Sequence, residues 1–382
     1  MTVRMPQADL TRRKRMMSIL AVMLLAVALF YAIRWFVHGR SHAVTDDAYV
    51  AGNLIRITPR VAGTVVAILA DNTDLVREGQ VLVRLDDTDA RLALDRAEAD
   101  LAEAVRRISQ SYENRRQQQA NLAVKQHVYE QAEADLQRRE QAVAVEVVSQ
   151  EEAEHARTAR DQARAALELA RAQLAAADAV VAGTSVATHP AVKQAEARLR
   201  AAWVDLSRCV IRSPVQGQID KRSIQIGQQV APGNPLMALV PMNQLWVEAN
   251  FKEDQLEGMA VGQPVELVSD LYGRNTVFHG VVAGLSPGTG SVFSLLPPQN
   301  ASGNWIKIVQ RLPVRIALDP KELEQHPLRV GLSMRVDVAI GATGAAKNLP
   351  PAHYATPVYQ DDLKGASERI SNIVAANLVT KG

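Results

Sequence analysis

The residues best suited to chemistry in this sequence form the acidic run Asp86, Asp87, Thr88 and Asp89. Neighbouring carboxylates can act as an acid and base pair or bind a hard cation. The run also stands directly before a long segment without Gly or Pro, and Asp and Thr are residues that cap and complement helix N-termini. We therefore interpret the run as the start of a helix in preference to a catalytic or metal site.

The other reactive side chains do not group into a recognisable site. The eight histidines are scattered, and Gly288 and Gly290 are not followed by the Gly-Lys-Ser/Thr of a phosphate-binding loop. Cys209 is the only cysteine, which excludes an internal disulfide and a zinc site built from cysteines. We expect Cys209 to be a buried core residue. The sequence thus predicts no enzyme activity and no cofactor.

Composition narrows the class of partner. Lys and Arg total 43 against 41 for Asp and Glu, so the chain lacks the basic excess that attracts nucleic acid, and no nucleic-acid partner is expected. Aromatic residues make up 4% of the chain although 47% of it is apolar. Cores built from aliphatic side chains are therefore expected.

The N-terminal region has the pattern of a membrane anchor. Four basic residues at 12–15 precede an uncharged apolar run at 16–33, which as a helix would extend roughly 27 Å, close to the thickness of a bilayer core. Tyr31, Trp35 and Phe36 follow at the far end, as in an aromatic belt. A cleaved signal peptide is the alternative, but its apolar core is usually about 7 to 15 residues long. We predict a single span with a cytoplasmic N-terminus.

A heptad pattern dominates the middle of the chain. From Asp89 to about Val143 there is no Gly or Pro, and apolar residues recur every seventh position with one interruption. These residues are Leu94, Leu101, Ile108, Leu122, Tyr129, Leu136 and Val143. The spacing is typical of a coiled-coil seam, on a helix roughly 80 Å long.

A second helix with the same pattern follows. Ser149 and Glu152 have the spacing of a capping box, and the seam resumes at 156–181. Two long helices joined by a few residues must run antiparallel. Gly183 and Pro190 then mark an interruption, which either a kink or a short break would satisfy, before the seam continues to Leu206.

A repeated phrase flanks these helices. VREGQVLVRLD at 76–86 is matched by VAPGNPLMALV at 230–240, and the interval from Gly63 to Gly79 equals that from Gly217 to Gly233. We expect the four glycines at turns with positive φ. Each half is too small to form a core alone. The two halves are therefore predicted to pack as one β domain that the helical hairpin interrupts.

Residues after the second half indicate a further β domain. Apolar residues alternate with polar ones at 247–251, 312–318 and 332–340, which predicts strands with one buried face and a small β-barrel. A Gly- and Pro-rich loop contains Phe293, Leu295, Leu296 and Trp305. These side chains either plug the barrel core or form an exposed docking patch.

The first half also resembles the half-motif of lipoyl and biotinyl carrier domains, in which a lysine carries the prosthetic group. Asp89 stands at the corresponding position, so the resemblance implies the carrier fold without the carrier function. Three longer phrases, at 46–65, 211–219 and 290–316, make the chain similar to the periplasmic adaptor, or membrane fusion protein, family of Gram-negative bacteria. The similarity is to the HlyD-like, EmrA-type branch of that family.

This resemblance implies an α+β protein with a transmembrane helix, a lipoyl-like barrel-sandwich domain split by a coiled-coil hairpin, and a following β-barrel. It also implies an inner-membrane location with the bulk in the periplasm, assembly into a ring of copies, and a bridge from an inner-membrane major facilitator drug transporter to a TolC-like outer-membrane channel. The loop with Phe293 and Trp305 would then face the transporter or the membrane. A membrane-anchored envelope scaffold without a transport role is the alternative, although it would not need the lipoyl-like repeat.

Adaptors that dock on TolC-like channels resemble one another at the hairpin tip, where an arginine is followed by an apolar residue and a serine. Arg138, Ala142 and Ser149 have this spacing here, with Ala142 in place of the usual leucine. The predicted division of the chain is 1–15 cytoplasmic N-terminus, 16–37 anchor, 46–88 first lipoyl-like half with a preceding strand, 89–207 hairpin, 208–241 second half, 242–345 β-barrel and 346–382 flexible tail.

Overall fold

The protein consists of an N-terminal helix, two β domains and a long helical arm. In this computed structural model the described residues are 8–144, 146–290, 292, 309–342, 354–360 and 363–378, with only the backbone described at 8–11 and 31–40. The helices are α1 (Ala8–Ser41), α2 (Thr88–Val143), α3 (Gln150–Val181), α4 (Pro190–Arg208), α5 (Pro320–Gln325) and α6 (Lys364–Asn377). The strands are β1 (His42–Ala51), β2 (Ile55–Ile57), β3 (Gly63–Ile68), β4 (Leu75–Val76), β5 (Val81–Leu85), β6 (Val210–Arg212), β7 (Gly217–Arg222), β8 (Gln229–Val230), β9 (Met237–Val240), β10 (Trp246–Lys252), β11 (Pro264–Ser269), β12 (Val277–Leu285), β13 (Arg311–Leu318) and β14 (Ser333–Ala339).

Helix α1 contains the predicted anchor and continues into β1 without a linker. The apolar side chains at its described positions are exposed, for example Leu20 at 58% and Leu25 at 70%. Within the part of the chain that the structure describes, no helix is both long and apolar enough to cross a membrane. The side chains of residues 31–37, the end of the predicted anchor, lie outside the described part.

Six strands form a closed antiparallel barrel in the order β1-β10-β13-β12-β11-β14. Alternate residues point inward, so that Phe251, Leu267, Phe278 and Val336 are at most 1% exposed. The barrel differs from the predicted boundaries in one respect. Strand β1 pairs with β10 and β14 and therefore belongs to the barrel, not to the first lipoyl-like half. Its partner strands lie 195 to 297 residues further along the chain (Ala51↔Trp246 to His42↔Ala339), so no local sequence signal indicates the pairing.

The lipoyl-like domain is built from β2 to β9, on both sides of the arm. Its two sheets have the orders β2-β9-β7-β4 and β6-β5-β3-β8, so each takes two strands from each half of the repeat. The shared core contains Ile57 and Leu82 from the first half and Leu236 and Leu239 from the second, all fully buried. The two halves form one packed unit, as the repeat indicates.

The four repeated glycines serve two different purposes. Gly79 and Gly233 have φ of 77° and 88°, the turn conformation predicted for them. Gly63 and Gly217 instead begin β3 and β7, so the turn interpretation is wrong for these two. A Cβ on Gly217 would lie 2.5 Å from the carbonyl oxygen of Val240. Gly217 is therefore required for close approach of neighbouring strands.

The arm comprises α2, α3 and α4, residues Thr88–Arg208. Asp86 stands before Asp87, the N-cap residue of α2, and its Oδ1 accepts hydrogen bonds from the backbone N–H and the hydroxyl of Thr88 at 3.0 and 2.7 Å. The side chain of Asp87 makes no capping hydrogen bond of its own. Helix α2 packs on α3 along its outer part and on α4 near the lipoyl-like domain. Between α3 and α4 the helix is interrupted at Gly183, which has φ of 67°, and the chain makes a short 3-10 turn at Val186–Thr188. The interruption is a break, not a kink.

Helix α6 lies against the section of the arm where α2 packs on α4, which we call the arm base. Ala366 and Ile370 of α6 are 0% and 6% exposed there. The prediction of a flexible tail is therefore wrong for residues 364–377. Its Gly- and Pro-rich beginning suggested a linker, while the short apolar pattern of α6 gave no indication of a partner.

Candidate functional site at the hairpin tip

The tip of the arm, residues 138–152, is the part of the protein farthest along the arm from the lipoyl-like domain. Helix α2 has 56 residues, which at 1.5 Å per residue corresponds to roughly 84 Å. The tip contains all three residues singled out from the sequence. Arg138 and Ala142 lie near the end of α2, and Ser149 lies at the start of α3.

Ser149 caps α3. Its backbone is extended and its Oγ accepts a hydrogen bond from the backbone N–H of Glu152 at 3.2 Å. This satisfies one of the N–H groups that the first turn of a helix leaves without a partner. The predicted cap is confirmed for the serine, whose side chain therefore has a local structural role at the tip.

Arg138 is exposed at 72% of its side chain and forms an ion pair with Asp135 one turn earlier, at 3.2 Å. Arg139 contacts the same carboxylate at 2.9 Å. Hydrogen bonds from Arg138 and then Arg139 lower the pKa of Asp135. Ala142 lies four residues after Arg138, on the same side of α2, and is half-buried. The tip thus presents an accessible guanidinium with a small apolar residue beside it.

The turn between the helices exposes an apolar residue that the sequence analysis did not single out. Val147 is 75% exposed, and its backbone N–H donates to the carbonyl of Ala142 at 3.0 Å. Glu146 before it has φ of 57°, an uncommon value for a residue with a side chain. The valines at 147 and 148 were the available signal, because turns are usually built from Gly, Pro, Asn, Asp and Ser.

Ion pairs hold α2 and α3 together just behind the tip. Arg157 of α3 contacts Glu140 of α2 at 3.0 Å and Glu154 of its own helix at 3.1 Å. The hydrogen bond to Glu140 is the main reason that the pKa of Arg157 is raised. These pairs are exposed and therefore contribute little stability. The described tip residues thus combine exposed charged side chains with the exposed apolar side chain of Val147.

The reactive side chains at Asp89 and Cys209, singled out from the sequence, lie outside the tip. Among the residues that the structure describes, no group of three or more His, Cys, Asp or Glu side chains could hold a metal ion. Asp89 is exposed. Cys209 is 4% exposed, and burial raises the pKa of its thiol, which keeps it protonated and unreactive.

Two further stretches complete the candidates. Phe293, Leu295, Leu296 and Trp305 lie outside the described residues, so their role stays a prediction. The pentapeptide GLSPG at 284–288 has the spacing of a nucleophile elbow. Ser286, however, directly follows β12 and its backbone N–H bonds to Pro313 of β13 at 2.9 Å. It therefore extends the barrel ladder instead of standing on a strand-to-helix turn.

Comparisons with known proteins are consistent with this geometry. Residues 88–209 match the family model described as "EMRA, alpha-helical hairpin domain". The "Multidrug export protein EmrA" of Escherichia coli (strain K12) is 48% identical over 311 residues, 81% of this chain and 80% of that protein. The "Fatty acid resistance protein FarA" of Neisseria gonorrhoeae is 46% identical over 341 residues, 89% and 86% of the two chains. A solved structure, "Structure of the periplasmic adaptor protein EmrA", is 20% identical, covers 78% of this chain and 99% of that one, and has a TM-score of 0.39.

Proposed function

Because the chain belongs to the EmrA-type family of membrane fusion, or adaptor, proteins, which are not enzymes, we propose that it is the periplasmic adaptor of a tripartite multidrug efflux pump. Its arm would link an inner-membrane transporter of the major facilitator class to a TolC-like outer-membrane channel. The similar proteins named for multidrug export and for fatty acid resistance support drugs or other toxic compounds as the exported class.

The observation that carries the proposal is the insertion of the arm into a single domain. The chain leaves the lipoyl-like domain after β5 and re-enters it at β6, and these two strands are neighbours in one sheet. Both ends of the arm therefore start from the same place, and its tip projects roughly 84 Å away. Such an arrangement separates two binding surfaces by a distance suited to crossing an aqueous compartment.

The membrane-facing part of the proposal rests on α1. Its exposed apolar side chains follow the basic residues at 12–15, which favours a cytoplasmic N-terminus and an arm in the periplasm. Several copies side by side would be needed to enclose a path for the exported compound, so a ring of copies is part of the proposal. The loop containing Phe293 and Trp305 is proposed to face the transporter.

The test is a charge reversal at the tip. Arg138→Asp should leave membrane level and helix content unchanged, because Arg138 is exposed and its only ion pair shown is a local one with Asp135. It should lower drug resistance in cells that depend on this protein and reduce crosslinking of the tip to the outer-membrane channel, since a charge-assisted hydrogen bond to the channel would be lost.

Arg116→Asp is the matched control. Arg116 is also an exposed residue of α2 and pairs with an acidic residue three positions earlier, Glu113, at 3.1 Å, but it lies in the middle of the arm. Resistance and crosslinking should survive this change. If Arg138→Asp behaved like the control, docking through Arg138 would be refuted. If neither a tip variant nor deletion of the gene altered resistance, an efflux role would be refuted.

A further inference from the structure

Helix α6 packs on the core of the arm base. With α6 in place, Leu101 of α2 and Leu199 of α4 are fully buried there. Helix α6 adds a third helix to this core through Ala366 and Ile370. A Cβ on Gly365 would lie 2.5 Å from the indole ring of Trp203, which shows how closely α6 approaches α4.

Polar contacts fix α6 along α2 near the middle of α6 and at its C-terminal end. Arg369 forms an ion pair with Glu98, and its guanidinium carbon lies 5.3 Å from the centre of the Trp203 ring. Two turns later, the guanidinium of Arg106 donates to Oδ1 of Asn377 at 2.7 Å. Both pairs are separated by 271 positions in the chain, so α6 runs parallel to α2 in a single register.

The segment before α6 is attached to the lipoyl-like domain. Residues 354–360, which we call the strap, line a groove together with Arg56, Thr58 and Arg60 of that domain. The guanidinium carbon of Arg60 lies 6.0 Å from the ring centre of Tyr359, and burial raises the pKa of the tyrosine hydroxyl. The strap and α6 together thus connect the lipoyl-like domain to the arm base.

This connection matters because the two ends of the arm join the lipoyl-like domain side by side. The backbone N–H of Leu85, before α2, donates to the carbonyl of Cys209, after α4, at 2.9 Å. Two attachments this close define an axis about which a rigid arm can rock. A third attachment away from that axis removes this freedom.

Helix α6 also has the character of a releasable element. It has 14 residues, and no side chain caps its N-terminus. An isolated helix of this length is marginal in water, so its stability depends on docking. Short docked helices are also among the elements that open first in a native protein.

We infer that α6 is a releasable buttress: docked on α2 and α4, it holds the arm at a fixed angle to the lipoyl-like domain, and undocked, it allows the arm to rock. The inference does not depend on the identity of the transported compound or on the partner at the tip. It assigns the C-terminal segment a conformational role in setting where the tip points.

The test uses the full-length chain in detergent, with nitroxide labels at Glu78 of the lipoyl-like domain and Gln119 of the arm, both exposed. Cys209 is buried and does not compete for the label. Ile370→Asp places a charge in the buried contact, and Ser371→Asp places the same charge on the exposed side of α6. Pulsed EPR reports the distance distribution between the labels, and hydrogen exchange reports whether α6 is docked.

Ile370→Asp should speed exchange in α6 by at least about tenfold and broaden the distance distribution, while Ser371→Asp should change neither. An unchanged distribution with α6 undocked would make α6 a passive tail and overturn the inference. Full protection of α6 in Ile370→Asp would also overturn it. Should Ile370→Asp fail to fold, Arg369→Gln removes the ion pair with Glu98 and the ring contact without burying a charge. Broadening in that variant would support the buttress, and its absence would refute it.

Discussion

Replacement of Gly217 by alanine provides the most direct test of the split domain. The new Cβ would lie 2.5 Å from the carbonyl oxygen and 2.9 Å from the carbonyl carbon of Val240, and both atoms belong to the backbone of β9. Strands β7 and β9 are paired through Ile219 and Leu239, so relief requires the ladder to open by roughly 0.5 to 1 Å. No side chain can rotate away to accommodate the methyl group.

The magnitude follows from three contributions. Overpacking of this kind costs about 1 to 3 kcal/mol, and each weakened ladder hydrogen bond costs about 1 kcal/mol more. Alanine also lowers the conformational entropy of the unfolded chain relative to glycine, which offsets about 0.4 to 1 kcal/mol of this destabilisation. We expect Gly217→Ala to lower the free energy of unfolding of the lipoyl-like domain by about 2 to 3 kcal/mol.

The assay is hydrogen exchange in dilute urea, followed separately at β5 from the first half and at β9 from the second. Because the halves share one core, both strands should lose protection together, by about 30- to 160-fold. Gly284→Ala is the control, since no atom lies within 4 Å of the new Cβ. Loss of protection confined to β9, with β5 unchanged, would refute the single cooperative unit. A neutral Gly217→Ala would refute the steric reasoning.

Further predictions concern the arm and the thiol. Leu101→Ala should destabilise the arm base by about 2 to 5 kcal/mol in urea unfolding, whereas Val124→Ala, at a position 59% exposed, should have little effect; equal effects would contradict the burial argument. Ser149→Ala should lower the stability of the first turn of α3 by about 1 kcal/mol, as measured by hydrogen exchange, whereas Ser149→Asp should retain the cap and the stability. Because ion pairs lower the pKa of Asp135, its contribution to the tip is present above its ordinary pKa of 3.8 and disappears as pH falls through the lower folded value. After correction for intrinsic rates, amide exchange at the end of α2 should therefore become faster as pH falls through this range. The same pH dependence should be absent in Asp135→Asn. The Cys209 thiol should resist maleimide in the folded protein and react in urea; rapid reaction of the folded protein would show that this core opens readily.

The arm and the split domain could be predicted from the sequence because their signals repeat. A seven-residue period over more than fifty positions leaves few alternatives to a coiled coil, and Leu94, Leu101 and Leu136 are indeed buried in the arm. The cap at Ser149 and the helix start at Pro190 were also local features. The duplicated phrase placed the two halves in one domain because neither half can close a core alone.

The features that could not be predicted depend on partners far away in the chain. Strand β1 has the same alternating pattern whether it pairs with the lipoyl-like sheets or with β10 and β14. Helix α6 contacts Trp203 and Glu98, and no pattern in the sequence around these two residues indicates that they contact a third helix. At the tip, exposure of Val147 depends on the turn conformation, which spacing alone does not determine.

The pairing of β1 has a consequence for how the two ends of the chain act on the arm. His42, directly after α1, pairs with Ala339 at the end of β14, and the backbone N–H of Ile340 donates to the carbonyl of Ser41 at 2.8 Å. The N-terminal helix and the C-terminal segment therefore leave the barrel side by side. Because β1 is hydrogen-bonded along both edges, α1 is continuous with a strand inside the barrel ladder. Further along the chain, the strap contacts the lipoyl-like domain and α6 contacts the arm base. The barrel therefore joins the N-terminal helix to both C-terminal elements, in addition to the chain that runs forward from β1 through β2.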